Sequence, residues 1–386
     1  MTERYEGTIF LASGFTAKYP EGGGNFSVPL QWALGLKRLG LKFYWLELMP
    51  PSGDAKRDQD CIRIFEERMR EYAIPYVLLV QQEATQEQEL SQFDFHGLSA
   101  SEFESHLSGS TLLNLSYSVH SPLLLRFERR IYCNLDPSEI AYWMPQMEMG
   151  QSSHHEFCAI GLNMNSDDCR LPPPPEGVVW KTFYPLVDTE FLKQSPRPAE
   201  NRITTIGQWY WNGYLEFDGI YRDLSKQAMF EPYIELPSDV PELTWELAMN
   251  MNAGDSEKER LHAKGWNHVF PHDVVAGPAD YFRYIRESLA EFTPVKVDDI
   301  TQSGWISDRA AVYLAMGRPV ITELTGAEKY LPEESGFVWM RDRASAIEAA
   351  RRVLLDWDIL SNAARACAVE YFDAPRNLRK ILGLNS

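Results

Sequence analysis

The chain opens with apolar and polar positions alternating between two periods. Thr8-Ile9-Phe10-Leu11-Ala12 is a continuous apolar run of strand length. Ser13-Gly14-Phe15 and a glycine-rich loop, Gly22-Gly23-Gly24-Asn25, follow it. Val28, Leu30, Trp32, Ala33, Leu36 and Leu39 then recur at three-to-four spacing, and Gly40 closes the helix they predict. Residues 41–46 form the next apolar run. Strand, loop, helix, strand is the signature of a βαβ unit in a parallel sheet.

The alternation continues. A helix is predicted over 61–72, and strands over 75–80, 111–115, 130–135 and 155–162. The polar stretch 81–110 shows no clear period. Pro172-Pro173-Pro174-Pro175 is a stiff connector, a strand is predicted over 178–184, and the proline-bearing stretch 185–198 marks a domain boundary. A second series begins with a strand at 202–207, a helix at 218–231 and a strand at 244–249. Helices at 257–264, 279–290 and 308–316, a strand at 319–322, and helices at 344–357 and 359–371 complete it. This order predicts two α/β domains with mostly parallel sheets, residues 1–187 and 188–369. A terminal helix near 370–386 is free to pack back on the first domain. Ligands of such sheets sit beyond the carboxyl ends of the strands, so the cleft separating the domains is the expected site.

Charge narrows the partners. Among 386 residues, 37 lysines and arginines face 55 acids, a net charge of −18. A nucleic-acid backbone calls for a basic surface, so no nucleic-acid partner is expected. No stretch is long and apolar enough for a transmembrane segment, and the acidic start Met1–Gly7 does not resemble a signal peptide. The five cysteines are scattered and form no C-x-x-C, which suits reduced thiols in a cytoplasmic protein.

Several chemistries lack their motifs: no G-x-G-x-x-G, Walker loop, G-x-S-x-G or H-E-x-x-H is present. His155, Cys158 and Cys169 have loosely ligand-like spacing, but a fourth ligand and a paired cysteine are missing, so no metal and no cofactor is expected.

The most informative segment is Thr301-Gln302-Ser303-Gly304-Trp305-Ile306-Ser307-Asp308-Arg309, a small-residue loop opening a helix. Gly317-Arg318-Pro319 ends that helix, and Thr325-Gly326 opens the loop after the next strand. Free N–H groups and the dipole at a helix start favour an anion. Ser303, Ser307 and Arg309 could then donate to a diphosphate. Equally, Ser307 and Asp308 could be plain caps, with Arg309 paired to an acid.

The segment S-G-W-I-S-D-R-A-A-V-Y-L-A-M-G-R-P-V resembles the donor-binding region of bacterial GT-B glycosyltransferases, in particular a branch carrying S-G-W-x-S-D-R. Leu135-Asp136-Pro137, the His-rich 153–157 stretch with Gly161 and Asn163, and 184–191 are similar to other parts of that branch. The resemblance implies two Rossmann-like domains and metal-independent transfer of a sugar from a nucleotide-sugar to a hydroxyl of a small molecule or glycan. It also implies donor contacts from Lys226, Ser303, Gly304, Trp305, Ser307, Asp308, Arg309, Thr325 and Gly326. The Gly22-Gly23-Gly24-Asn25 loop would admit acceptor or phosphates. A base for the acceptor proton is sought in Asp136 and His155, with His120 as a third candidate. The paired glutamates of many retaining members are absent, since Gly304 and Val312 stand there, so the stereochemical outcome does not transfer. Two other readings stay open: a nucleotide-sugar epimerase on the same scaffold, and a non-catalytic nucleotide-sugar-binding partner protein.

Overall fold

The structure is a computed structural model. It describes residues 5–384 apart from 15, 84–87, 218, 253 and 255. Met1–Arg4 of the acidic start, Phe15 and Asp218 therefore lie outside the described residues. The chain divides into two compact units. The first runs to Ile160 and adds Pro172–Asp188 and the segment from Ala374; the second holds Gly161–Leu171 and Thr189–Asp373. The 161–171 excursion thus falls in the second unit, whereas the sequence reading kept it in the first. The apolar pattern of 155–162 carries no information on where the chain turns after the strand.

The first unit is built on eight strands: β1 (Ile9–Gly14), β2 (Phe43–Met49), β3 (Tyr76–Gln81), β4 (Phe93–His96), β5 (Thr111–Leu115), β6 (Arg129–Asn134), β7 (Glu156–Ala159) and β8 (Trp180–Thr182). Their order is β4-β3-β2-β1-β5-β6-β7-β8, with only β4 antiparallel to its neighbour. Ile9, Phe10, Leu11 and Ala12 of central β1 are wholly buried, as a strand covered on both faces must be.

The Gly22–Asn25 run is not a loop. A helix starts at Gly23 and continues to Arg38, with Gly22 as its N-cap. Burial of Phe26, Leu30, Trp32 and Leu36 carries the helix through residues of poor helical propensity. At Gly35 a Cβ would lie 2.6 Å from Leu378 and 2.7 Å from Ala374, so the Ala374–Leu382 helix rests directly on this glycine.

The second unit carries β9 (Arg202–Gln208), β10 (Tyr214–Phe217), β11 (Ile220–Asp223), β12 (Thr244–Asn250), β13 (Trp266–Val269), β14 (Ala290–Thr293), β15 (Val320–Glu323) and β16 (Phe337–Met340). Six of them form an all-parallel sheet in the order β13-β12-β9-β14-β15-β16. This is the doubly wound order, and it reverses direction between β9 and β14. Trp245, Trp266, Phe230 and Phe292 make edge-on ring contacts at 5.4–5.7 Å in its core. The front of the helix expected over 218–231 is instead the second strand of a separate hairpin, β10–β11, with Gly219 at φ +77°. Lys226–Phe230 is α-helical, capped by Ser225 accepting from the Ala228 N–H, and a 3-10 turn follows at Glu231–Tyr233.

Candidate functional site

In doubly wound sheets the ligand crevice lies outside the carboxyl ends of the two strands at the reversal. In the second unit these are the ends of β9 and β14. Two cations of the sequence reading converge there. Lys226, at the start of its short helix, donates from Nζ to the Pro294 carbonyl just past β14, at 2.8 Å. Burial, followed by the nearby positive charges of Arg309 and Lys296, pushes its pKa down to about 7.

Arg309 is held by three partners. Its Nε pairs with the carboxylate of Glu291, Nη1 donates to the Ile206 carbonyl at 2.8 Å, and Nη2 donates to Thr293 Oγ1 at 2.9 Å. The side chain is therefore pinned to β9 and β14 through a fully buried acid, instead of being held out to a ligand. Glu291 was missed because 279–290 read as one helix. Its signal was an acid inside the otherwise apolar run Leu289-Ala290-Glu291-Phe292. Glu323, at the end of β15, accepts from the Tyr233 hydroxyl at 2.5 Å and from the Val295 N–H at 2.8 Å. Burial and the Glu323 charge push Asp299 up to about 6.

The helix Asp308–Ala315 begins beside this edge. Ser307 is its N-cap, with Oγ accepting from the Ala310 N–H at 3.0 Å. Ser307, Trp305, Thr293, Thr322, Phe337 and Trp339 line a crevice, and the Phe337 and Trp339 rings stack at 4.8 Å. A capped helix start, two strand-end threonines and aromatic walls thus share one opening.

The loop before the helix is locked from behind. Ser303 is fully buried; its hydroxyl donates to Asp298 at 2.5 Å and accepts from the Trp305 N–H at 3.2 Å. It shapes the loop and does not offer its hydroxyl outward. Gly304 has φ +78°, and a Cβ there would lie 2.3 Å from the Asn163 nitrogen, so only glycine fits. Asn163 and Leu162 donate from their backbones to Ser303 and Gly304, at 3.0 and 3.1 Å. The Asn163 side chain donates to the Gln302 carbonyl at 2.8 Å and accepts from the Tyr330 hydroxyl at 2.9 Å. Gly304 N–H donates to the Thr325 carbonyl at 2.7 Å, and Thr325 Oγ1 donates to the Trp305 carbonyl at 2.9 Å. Gly326, with φ +92°, packs against the Asn163 amide. Asn163 is therefore the hub joining three loops, and the 161–171 excursion exists to supply it.

In the first unit, Asp136 is exposed just past β6, at the carboxyl edge, as N-cap of the Pro137–Trp143 helix. His155 precedes β7 and so lies at the amino edge, where Arg130 Nη2 donates to its Nε2 at 2.7 Å. Its position before a parallel strand places it at the edge opposite the one where ligands of such sheets sit. His154 is buried instead, bonded to the Gly150 carbonyl at 2.7 Å and the Asn114 amide at 3.1 Å; burial pulls its pKa down to about 4. His120 follows β5 on the carboxyl side, in a loop where Ser116 and Tyr117 both have positive φ, and burial lowers its pKa. Glu47, at zero exposure, accepts from Ser13, the Ala17 N–H and Trp45 at 2.8–3.1 Å and so ties down the loop after β1. Among the described residues, no three His, Cys, Asp or Glu side chains form a metal-binding group, so His155, Cys158 and Cys169 do not make one. No helix among them is long and apolar enough to cross a membrane.

Both units are doubly wound α/β sheets, and the chain has the GT-B glycosyltransferase fold. Its likeness extends end to end. An alpha-glucosyltransferase solved with UDP matches at TM-score 0.59 and 9% identity, over 97% of this chain and 98% of that one. An alpha-glucosyltransferase with UDP-glucose and DNA containing an abasic site matches at 0.54 and 11%, over 97% and 98%. Anabaena Alr3699/HepE with UDP-glucose matches at 0.56 and 12%, also over 97% and 98%. No family model and no curated protein matches the sequence.

Proposed function

We propose that the protein is a glycosyltransferase that takes a sugar from a nucleoside-diphosphate-sugar and passes it to a hydroxyl of a small molecule or glycan. The observation that carries this reading is Lys226. Its ammonium is half-buried at the strand-order reversal, depressed to about 7 beside Arg309 and Lys296, with no carboxylate among the described residues bonded to it. A diphosphate is the ligand that would relieve this crowding of positive charge. Lys226 and Lys296 would meet the diphosphate as point charges and stabilise it as leaving group, a task that needs no metal ion. The Ser307 hydroxyl and the first-turn N–H groups of the 308–315 helix would add neutral donors. Trp305 lines that opening, and the Asp308, Thr325 and Gly326 contacts that the resemblance implies would have to be made beside it. His120 and Asp136, both at the carboxyl edge of the first sheet, are the groups that could take the acceptor proton. Scattered cysteines suit a cytoplasmic setting. The UDP and UDP-glucose in the solved neighbours support the donor class. DNA also occurs in several of the solved alpha-glucosyltransferase structures, but the net charge of −18 speaks against a DNA acceptor here.

The test is calorimetric titration with UDP. Lys226→Ala should weaken binding by about tenfold or more. The sign with pH follows from the lowered pKa. Free Lys226 loses its proton near pH 7, while bound diphosphate favours the charged form, so binding takes up a proton and weakens as pH rises past about 7. The variant should lose that slope. Equal UDP affinity and slope in both proteins would overturn the donor assignment. Sugar turnover without any acceptor would favour an epimerase, and binding without turnover a sensor.

A further inference from the structure

The second unit has another cavity at its opposite edge, where the strands begin. It is an open hollow of about 530 Å³, within the roughly 300–1,000 Å³ of small-molecule sites. Its wall carries Arg197, Arg202, Arg286 and Arg318 against Glu200 and Glu287. That is a surplus of two positive charges in a chain that is strongly acidic overall.

Of the four arginines, only Arg202 meets a carboxylate among the described residues. Arg318, the arginine of the Gly317-Arg318-Pro319 turn, is 1% exposed. It donates only to backbone carbonyls: Ser195 at 3.1 Å, Pro196 at 2.9 Å, and Arg286 at 3.1 and 2.5 Å. Burial, then the charge of Arg286, pulls its pKa down to about 10. Arg286 has no ion-pair partner among the described residues, and neither Glu200 nor Glu287 pairs with any of the four arginines. Arg202 pairs with Glu246 at 2.7 Å through Nη1, yet its Nε is buried with no hydrogen-bond partner. Arg197 lies over the Trp357 ring at 5.7 Å, and Arg318 over the same ring at 5.4 Å. Natural proteins seldom bury guanidinium charge without an acid to meet it.

We infer that this cavity is a second binding site, for a small anion bearing phosphate groups, with Arg286 and Arg197 as its rim and Arg202 and Arg318 as its floor. Guanidinium forks match phosphate oxygens two at a time, a role for the rim arginines Arg286 and Arg197, while Arg318, whose nitrogens are bonded to carbonyls, adds positive charge from below. The floor arginines are oriented by backbone carbonyls and by Glu246, so little side-chain freedom remains to be lost on binding. The site is independent of the donor reading, because none of its residues takes part in the carboxyl-edge crevice.

The probe is pyrophosphate, titrated into the full chain with UDP present in saturating amount so that any diphosphate site at the other edge is filled. The wild-type protein should bind it, and the Arg197→Ala/Arg286→Ala double variant should bind at least about tenfold more weakly while its UDP affinity stays unchanged. Lys226→Ala should leave the pyrophosphate titration as it was. A double variant with wild-type thermal midpoint and wild-type pyrophosphate affinity would overturn the site, as would a wild-type protein that takes up none. Should the double variant fail to fold, Glu287→Gln serves instead: removing a rim acid should tighten pyrophosphate several-fold, and no tightening would equally overturn it.

Discussion

The helix Asp308–Ala315 has an arginine just inside its start and another just past its end, and the two are held in opposite ways. Arg309 at the start meets a fully buried carboxylate, Glu291, together with a carbonyl and a threonine hydroxyl. Arg318 beyond the end meets carbonyls alone, near a second, unpaired arginine. The same side chain is a neutralised strut at one edge of the sheet and an uncompensated charge at the other. Residue type in a motif therefore does not determine role. In the proposed function the ligand-seeking charge at the carboxyl edge is that of Lys226, and in the second proposed site it is that of the arginine cluster at the amino edge.

Removing each strut separates the cases. Arg309→Ala leaves Glu291 buried without a counter-charge and should cost about 3–5 kcal/mol in denaturant unfolding. Adding Glu291→Gln should recover a large part of that loss; no recovery would mean the pair is not what holds β9 and β14 together. Because of this structural cost, loss of nucleotide binding in Arg309→Ala would say little about ligand contact. Arg318→Ala strands carbonyls but no acid, so a smaller loss of about 1–3 kcal/mol is expected. A loss as large as that of Arg309→Ala would erase the contrast. The smallest effect is assigned to Ser307→Ala, about 1 kcal/mol for the cap, with UDP affinity falling only to the extent that its hydroxyl also reaches the ligand.

Much of the scaffold was legible from pattern. The runs at 111–115, 202–207 and 308–316 correspond to elements within two residues of their ends. Reading failed where periodicity was too short or tertiary burial overrode propensity. β13 and β16 have four residues each, too few for a period to show. The stretch 81–110 hides β4, whose polar Asp94 and His96 alternate with Phe93 and Phe95 along an edge. The front of the helix expected over 218–231 is instead a strand, because Ile220–Asp223 pairs back on Tyr214–Phe217 as a hairpin. At the site, Ser307 as cap and Gly304 as an obligatory glycine follow from local rules. Asn163 as a hub does not, since its partners lie some 140 and 167 residues away.

The local order of strand and helix, the acidic balance, the capped helix start and the absence of familiar catalytic motifs were properties of the sequence, because each depends on residues close together in the chain. Which edge of a sheet a side chain reaches was not. His155 and Asp136 look alike as residues beside strands, but strand direction in the assembled sheet puts one at the amino end and the other at the carboxyl end. Likewise, whether Arg309 or Arg318 retains a charge for a ligand depended on which acid, carbonyl or empty cavity the packing of β9, β14 and β15 placed beside it. Electrostatic pairing acts over a few ångströms of space, and only the folded chain brings residues so distant in sequence within that range.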